Sequence, residues 1–350
     1  MLLGGPVVVT LAGVTRYTNA AAVLAFLTSA VAVALLAALV GRSVDQLGDR
    51  FGAGATGVLQ SALGNLPELF ISFFALRAGL LTVVQSAIIG SILANLLLVL
   101  GLAFVVGGLR HGPQLFEKSR ARHICVLMAL ATAALVLPSL AKATHTPAEP
   151  HVQTLSDAVA VVLLIVFALS VPASLRRASL SSPPGADGTP GESAAAGTRW
   201  PAWLAVGLLA ASGGVAALVS DWFVTALTPA MDTLHISQTF AGLVVVAIAG
   251  NAIENVVGIQ LAAKNQADYA LSVIINSPLQ IALVLAPALV LLSLLTGTTL
   301  TLVFAPMLVV AVVAAVLVVS LVVFDGESTW LEGAALVGLY AIIAIVFWWG

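Results

Sequence analysis

Gly64-Asn65-Leu66-Pro67-Glu68 lies inside a long apolar stretch, and Gly250-Asn251-Ala252-Ile253-Glu254 repeats its frame 186 residues later. At the same offset Ser86 meets Ser272, Ile88 meets Ile274, and Ile89 meets Ile275. Ser91 meets Ser277, Leu93 meets Leu279, and Leu97 meets Leu283. Over 64–101 against 250–287, nine of 38 positions are identical. The apolar matches carry little weight in so apolar a chain. Gly, Asn, Glu and Ser at one fixed offset carry the repeat.

The rest of the chain explains where those motifs sit. Of 350 residues, 61% are hydrophobic and 8% are charged. A soluble domain carries about 25% charge. This chain therefore has too little polar surface for a soluble enzyme or a nucleic-acid binder, and it is too apolar for a disordered protein. Charges punctuate it into segments of about 20 apolar residues, the length that crosses about 30 Å of hydrocarbon. Spans are expected near 19–41, 51–76, 78–109, 123–141 and 154–175. Five more follow near 201–221, 235–263, 269–295, 296–324 and 330–349. Residues 2–15 form a short eleventh candidate. Trp348-Trp349 suits an interfacial anchor. One cysteine, Cys125, leaves no disulfide framework and no cysteine metal cluster.

The expected fold is an all-α polytopic membrane protein with about 10–11 transmembrane helices. Its parts are a short N-terminal span (1–18), a first repeat (19–175), a flexible linker (176–199) and a second repeat (200–350). The linker is rich in Ser, Pro and Gly. Ten Lys and Arg fall on the loops of its side: Arg42, Arg50, Arg110, Lys118, Arg120, Arg122, Arg176, Arg177, Arg199 and Lys264. Arg16, Arg77 and Lys142 fall on the other. The bias makes the linker cytoplasmic. Each repeat has five spans, and an odd number inserts the second copy upside down, an architecture of many secondary transporters.

Only Glu68 and Glu254 among the 15 acidic residues fall deep inside apolar spans. Asp157 and Asp221 read as lying near span ends, Asp221 as a structural helix-end residue. A charge in the bilayer costs several kcal/mol, so an intramembrane carboxylate points to function. The bland reading is a pair of protonated glutamates that bind helices together. No Lys or Arg shares their spans, so the neutralising partner is a proton or a cation. Pro67 and Gly64 weaken the helix beside Glu68, and Gly250 does so beside Glu254. Irregular backbone is tolerated in a membrane where it lines a site. Hard cations such as Ca²⁺ take 6–8 oxygen ligands. Two glutamates, the amides of Asn65 and Asn251, freed carbonyls and Ser hydroxyls supply oxygens. Burial and a like-charged neighbour both favour the neutral form of a carboxyl group. A cation or protons can neutralise the pair, but not both fully at once. That mutual exclusion is the basis of antiport.

These residues resemble the calcium/cation antiporter superfamily, and within it the Ca²⁺/H⁺ exchangers. The first repeat is similar through Gly64–Leu69, Ala75–Gly79 and Gly90–Gly101. The second is similar through Gly250–Glu254, Lys264-Asn265, Ser277–Gln280 and Pro287. Asp221-Trp222 and 325–333 add to it, and the likeness covers about 20–349. It implies a secondary antiporter working by alternating access, with one leading span plus five and five. Glu68 and Glu254 would bind the cation and carry protons. Gly64, Gly250, Asn65, Asn251, Ser91, Asn95, Ser277 and Gln280 would line the site. The implied partners are Ca²⁺ or another small cation, protons and the lipid bilayer, with no nucleic acid and no cofactor beyond the transported ion. A homo-oligomer is compatible with the sequence. The implied location is a prokaryotic cell membrane.

Three departures stand out. Asn255 occupies the position after the second glutamate where the family usually has His. Asn276-Ser277-Pro278 replaces the usual Gly-Ser. The linker has only Asp187 and Glu192 against three Arg, so it is no acidic sensor. Na⁺(K⁺)/H⁺ and Na⁺/Ca²⁺ exchange remain open on the same architecture, as does a channel. An intramembrane protease needs a nucleophile elbow, an H-E-x-x-H pair or paired aspartates in spans, and none is present.

Overall fold

A computed structural model describes residues 4–18, 20–51, 63–180 and 200–349. The first half holds α1 (Gly4–Tyr17), α2 (Ala22–Phe51), α3 (Leu66–Arg77), α4 (Leu81–His111), α5 (Lys118–Ala143) and α6 (Val152–Leu180). The second holds α7 (Ala202–Leu234), α8 (Gln238–Gly250), α9 (Ala252–Ala263), α10 (Ala267–Ser293), α11 (Pro306–Val322) and α12 (Trp330–Trp348). A two-stranded ribbon pairs β1 (Gln114–Leu115) with β2 (Glu327–Ser328) in antiparallel register.

Seven of these helices are long and apolar enough to cross a membrane alone: α2, α4, α5, α6, α7, α10 and α12. α8 and α9 are long and apolar enough only together, and they are bent by 62° relative to each other. Within the span expected over 235–263 the helix breaks at Gly250-Asn251. α3 is the second half of the span expected over 51–76; residues 52–62 lie outside the described residues. α1 has 14 residues, about 21 Å of helix, too short for about 30 Å of hydrocarbon.

Several boundaries differ from the sequence reading: α2 runs to Phe51 and α7 to Leu234, ten and thirteen residues beyond the expected spans. α6 runs to Leu180, five residues into the stretch that reads as linker, because Arg176 to Leu180 are all tolerable helix formers. Residues 181–199 lie outside the described residues. α11 begins at Pro306, ten residues after Thr296, because the chain before it is held extended by side chains. Gln85 Nε2 donates to the carbonyls of Thr301 (3.0 Å) and Val303 (2.9 Å). Ser156 Oγ accepts from Leu302 N at 3.0 Å, and Ser139 Oγ accepts from Phe304 N at 2.9 Å. These bonds satisfy backbone groups that water cannot reach.

The repeat is more exact in backbone than in sequence. α3 begins at Leu66 and α9 at Ala252, α4 at Leu81 and α10 at Ala267, each pair 186 apart. The residue preceding each half-helix has the same conformation: Asn65 at φ −91°, ψ 15° and Asn251 at φ −99°, ψ 12°. Each half-helix ends in a left-handed residue, Gly79 at φ 75° and Asn265 at φ 59°. Gly79 needs no Cβ there, and Asn is the other residue that visits this region readily. α4 and α10 each carry a widened π-type segment at matching places, Ala94–Val99 and Ile281–Leu285.

Loops assigned to one face by the charge count meet one another. Phe116 N donates to Gly326 O, Glu117 N to the Asp268 carboxylate, and Trp200 N to Gln46 Oε1. At the other face Ser237 Oγ donates to Phe347 O at 2.7 Å. Glu332 and Thr329 form a capping box at the start of α12, and Asp325 accepts from Glu327 N, so this acidic group caps helix and turn.

Glycines set how closely α4 approaches its neighbours. A Cβ on Gly90 would lie 2.2 Å from Leu243 O on α8, and one on Gly242 would lie 2.3 Å from Val83 O. Lower down, a Cβ on Gly333 of α12 would lie 2.5 Å from Gly101 O. Close backbone approach at small residues is how helices pack where no hydrophobic effect drives them together. Gly333→Ala should therefore destabilise the protein by about 1–3 kcal/mol, read as a lower melting temperature in detergent. Gly338→Ala, where a Cβ meets nothing within 4 Å, should leave it unchanged.

Candidate ion-binding site

The site forms where α3 and α9 begin against α4 and α10. Pro67 is the second residue of α3, where its missing N–H is no loss, and Asn65 O accepts from Leu69 N at 2.9 Å to start the helix. Glu68 follows in the first turn, which favours negative charge. It is 2% exposed.

Glu68 is held by residues from both repeats. Ser91 Oγ on α4 donates to Glu68 Oε1. Asn251 Nδ2, from the break between α8 and α9, lies 3.4 Å from the same oxygen and 3.0 Å from Ser91 Oγ. It also donates to Ala247 O at 2.9 Å. Asn95 Nδ2 donates to Asn251 Oδ1 at 3.2 Å and to Ser91 O at 3.0 Å. Ser277 Oγ on α10 lies 3.5 Å from Asn251 Oδ1. Asn65 Nδ2 and Gln280 Oε1 meet at 3.5 Å beside this group. Gly250 packs beside Glu68: a Cβ there would be in ordinary contact with Glu68 Cβ and Cγ at 3.4 Å.

Of the residues expected from sequence, Glu68, Ser91, Asn95, Asn251, Ser277 and Gly250 therefore form one connected cluster. Asn65 and Gln280 form a second contact at its edge. Gly64 sits in the turn before Asn65. The Glu254 backbone lies in the first turn of α9, at the place matching Glu68 in α3. Its side chain lies outside the described residues, and so does the expected meeting of the two carboxyls.

The geometry offers oxygen donors of mixed kind. Asn95 is fully buried, its amide hydrogens are committed to two carbonyl oxygens, and its Oδ1 has no hydrogen-bond partner. Asn255 Oδ1 is likewise buried and unpartnered. Such atoms cost about 1–3 kcal/mol each unless water or a cation meets them. Widened segments flank the cluster on three helices, Ala94–Val99, Ala241–Val246 and Ile281–Leu285. Insertions of this kind recur at functional sites because they rotate side chains and loosen carbonyls.

Sequence reading missed two things here. The Ala247 carbonyl fixes the Asn251 amide, and a backbone atom leaves no residue signature. Asp221 was expected at a helix end; it stands instead inside α7, 13 residues before Leu234, on a pocket shared with Arg77. It reads as an end because a charge interrupts an apolar run, while the helix simply continues past it.

Comparison with known proteins places this cluster in context. The family model described as sodium/calcium exchanger protein matches residues 21–175 and 204–349. A Ca²⁺/H⁺ antiporter of Aphanothece halophytica is 36% identical over 332 residues, 92% of this chain and 89% of its own. The Ca²⁺/H⁺ antiporter ChaA of Bacillus subtilis (strain 168) is 36% identical over 323 residues, 92% of this chain and 91% of its own. The crystal structure of the Ca²⁺/H⁺ antiporter protein YfkE is similar with a TM-score of 0.83 at 31% identity, covering 99% of this chain and 98% of that one.

Asn251→Ala removes the amide that joins the two repeats and its contacts with Glu68, Ser91 and Asn95. Stabilisation of the purified protein by an added divalent cation should weaken by about tenfold or more in effective concentration. The measurement is a thermal melt against cation concentration.

Proposed function

The chain belongs to the sodium/calcium exchanger protein family, and on that premise we propose that it is a Ca²⁺/H⁺ antiporter whose exchange runs through Glu68 and Glu254. It is an integral membrane protein and a secondary transporter. The observation that carries the reading is Glu68, buried at a helix break and held by Ser91 of its own repeat and Asn251 of the other.

The mechanism follows from neutralisation. Glu68 sits among apolar helices, and Arg77, the basic residue of α3, is nine residues further along it. A charged carboxylate there needs a cation, and a protonated one needs none. With Ca²⁺ bound, both carboxylates are ionised, and the Asn and Ser oxygens complete the shell. With protons bound, the carboxyls are neutral, and the Ser91 and Asn251 contacts hold Glu68 in place. Either form can pass through the occluded state, and the empty ionised site cannot. Exchange therefore couples Ca²⁺ to protons. The inverted repeat supplies the two openings, since each half presents the same half-helix toward an opposite face.

The basic loops favour a cytoplasmic face at Arg42–Arg50, Arg110–Arg122 and Lys264, with the central linker on it. The bacterial and cyanobacterial relatives support a prokaryotic cell membrane. Outward Ca²⁺ movement against entering protons is then the working direction.

A second reading keeps the fold and changes the cargo. Asn255 Oδ1 is buried without a partner and offers a neutral oxygen where a titrating imidazole is usual. Loss of a titratable group beside the second glutamate is the departure that keeps Na⁺(K⁺)/H⁺ exchange open as the alternative.

The deciding experiment uses purified protein in sealed vesicles with a pH dye inside and an acid interior. External Ca²⁺ should alkalinise the lumen, and Glu68→Gln and Glu254→Gln should each abolish the response. A response to Na⁺ or K⁺ instead would select the second reading. No proton movement with any cation sinks proton coupling.

Competition also has a sign. Protons occupy the carboxylates as pH falls, so apparent Ca²⁺ affinity should weaken on acidification. The slope is up to about tenfold per pH unit for each proton displaced. Calorimetric titrations at stepped pH read it directly; a flat profile overturns the shared site.

A further inference from the structure

Asp221 is a carboxylate of α7 that the exchange reaction above leaves unused. It lies 19 residues after Ala202 and 13 before Leu234. At 1.5 Å per residue it is about 28 Å from the helix end next to the linker, close to the roughly 30 Å of hydrocarbon that a span crosses. Its exposed side chain therefore stands near the far edge of the span.

It reaches a pocket of about 330 Å³ between α7 and the end of α3. Phe74, Arg77 and Leu80 line one wall, and Asp221, Thr225 and Thr228 line the other. The volume holds a hydrated cation with room to spare. Arg77 and Asp221 face the same space with no ion pair between them. Thr225 Oγ1 donates to Asp221 O at 2.8 Å, which commits its hydrogen and leaves its oxygen lone pairs available. The groups on this pocket from both packed elements thus include one carboxylate, one guanidinium and two hydroxyls.

The pocket shares a helix with the site. Arg77 is nine residues beyond Glu68 on α3, about 13 Å along its axis, and Phe74 lies between them. α3 points away from the basic loops, so the pocket opens on the face that carries Lys142.

We propose that this pocket is the antechamber where a hydrated divalent cation docks on the non-cytoplasmic face, with Asp221 attracting it and Arg77 opposing it. The inference rests on the Ca²⁺/H⁺ exchange reading and adds a residue that sets affinity from one side only. A carboxylate at the mouth of a low-dielectric passage raises local cation concentration, and an adjacent guanidinium lowers it. The unpaired pair keeps the pocket accessible and its field weak enough for the ion to leave again.

The test measures apparent KM for Ca²⁺ presented to each face, in vesicles of known orientation. Asp221→Asn should raise KM on the Arg77 face by about threefold to tenfold at low ionic strength, and the shift should shrink in high salt. KM on the opposite face should stay at the wild-type value. Arg77→Gln should lower KM on the Arg77 face, and Asp221→Glu should keep it near wild type. Opposite signs at the two residues distinguish electrostatics from damage to the fold. Equal KM shifts at both faces, or shifts of the same sign in both variants, overturn the antechamber while exchange stands. Absence of Ca²⁺-driven proton movement in the wild type removes the exchange reading, and the antechamber falls with it.

Discussion

A carboxylate in hydrocarbon must be neutral or accompanied, and the architecture is arranged around that requirement at Glu68. The residue could be satisfied by a lysine on a neighbouring helix, but such a pair would be permanent. Here the surroundings are amides and hydroxyls, which support either charge state. Polar groups of this kind need backbone that is not fully committed, and the helices oblige by breaking at Asn65 and Asn251. At the second break Ala247 O takes both the backbone N–H and the side-chain amide of Asn251, which fixes that amide in place.

The two halves agree in torsion where they differ in residue. Gly79 and Asn265 share a left-handed conformation, and the widened segments of α4 and α10 coincide within one residue after the shift. Outside the site the halves part. The stretch before α5 pairs as a short ribbon with 327–328, whereas the stretch before α11 hangs on Gln85, Ser139 and Ser156. The common part is what a two-sided transporter needs, and the different part lies at the two faces, where the surroundings differ.

Much of this was legible in the sequence. Apolar run lengths located most of the spans, and the 186-residue offset gave the repeat and its half-helix starts. Glu68, Asn251 and Ser91 were recognisable as polar atoms with no reason to be in a span. The contacts among them were not legible. Which way Asn95 or Ser277 points depends on the widened turns beside them, and Leu, Val and Ala in those turns carry no mark of the extra residue. The place of Asp221 was misjudged for a related reason: a single charge looks like punctuation until a helix is seen to run through it. The late start of α11 was hidden because its cause lies in side chains from three other helices.

The glycine contacts along α4 have an effect on how this chain tolerates variation. Gly90, Gly101, Gly107 and Gly108 each abut foreign atoms closer than a methyl group allows. Serine is a mild change in most membrane helices, since its hydroxyl can bond back to its own turn. Along this helix it would be as disruptive as valine, because the first carbon already has no space. At these four positions size, and not polarity, decides what α4 tolerates. Because α4 is buried along nearly its whole length, no turn of it offers a lipid-facing side where such a change would be free.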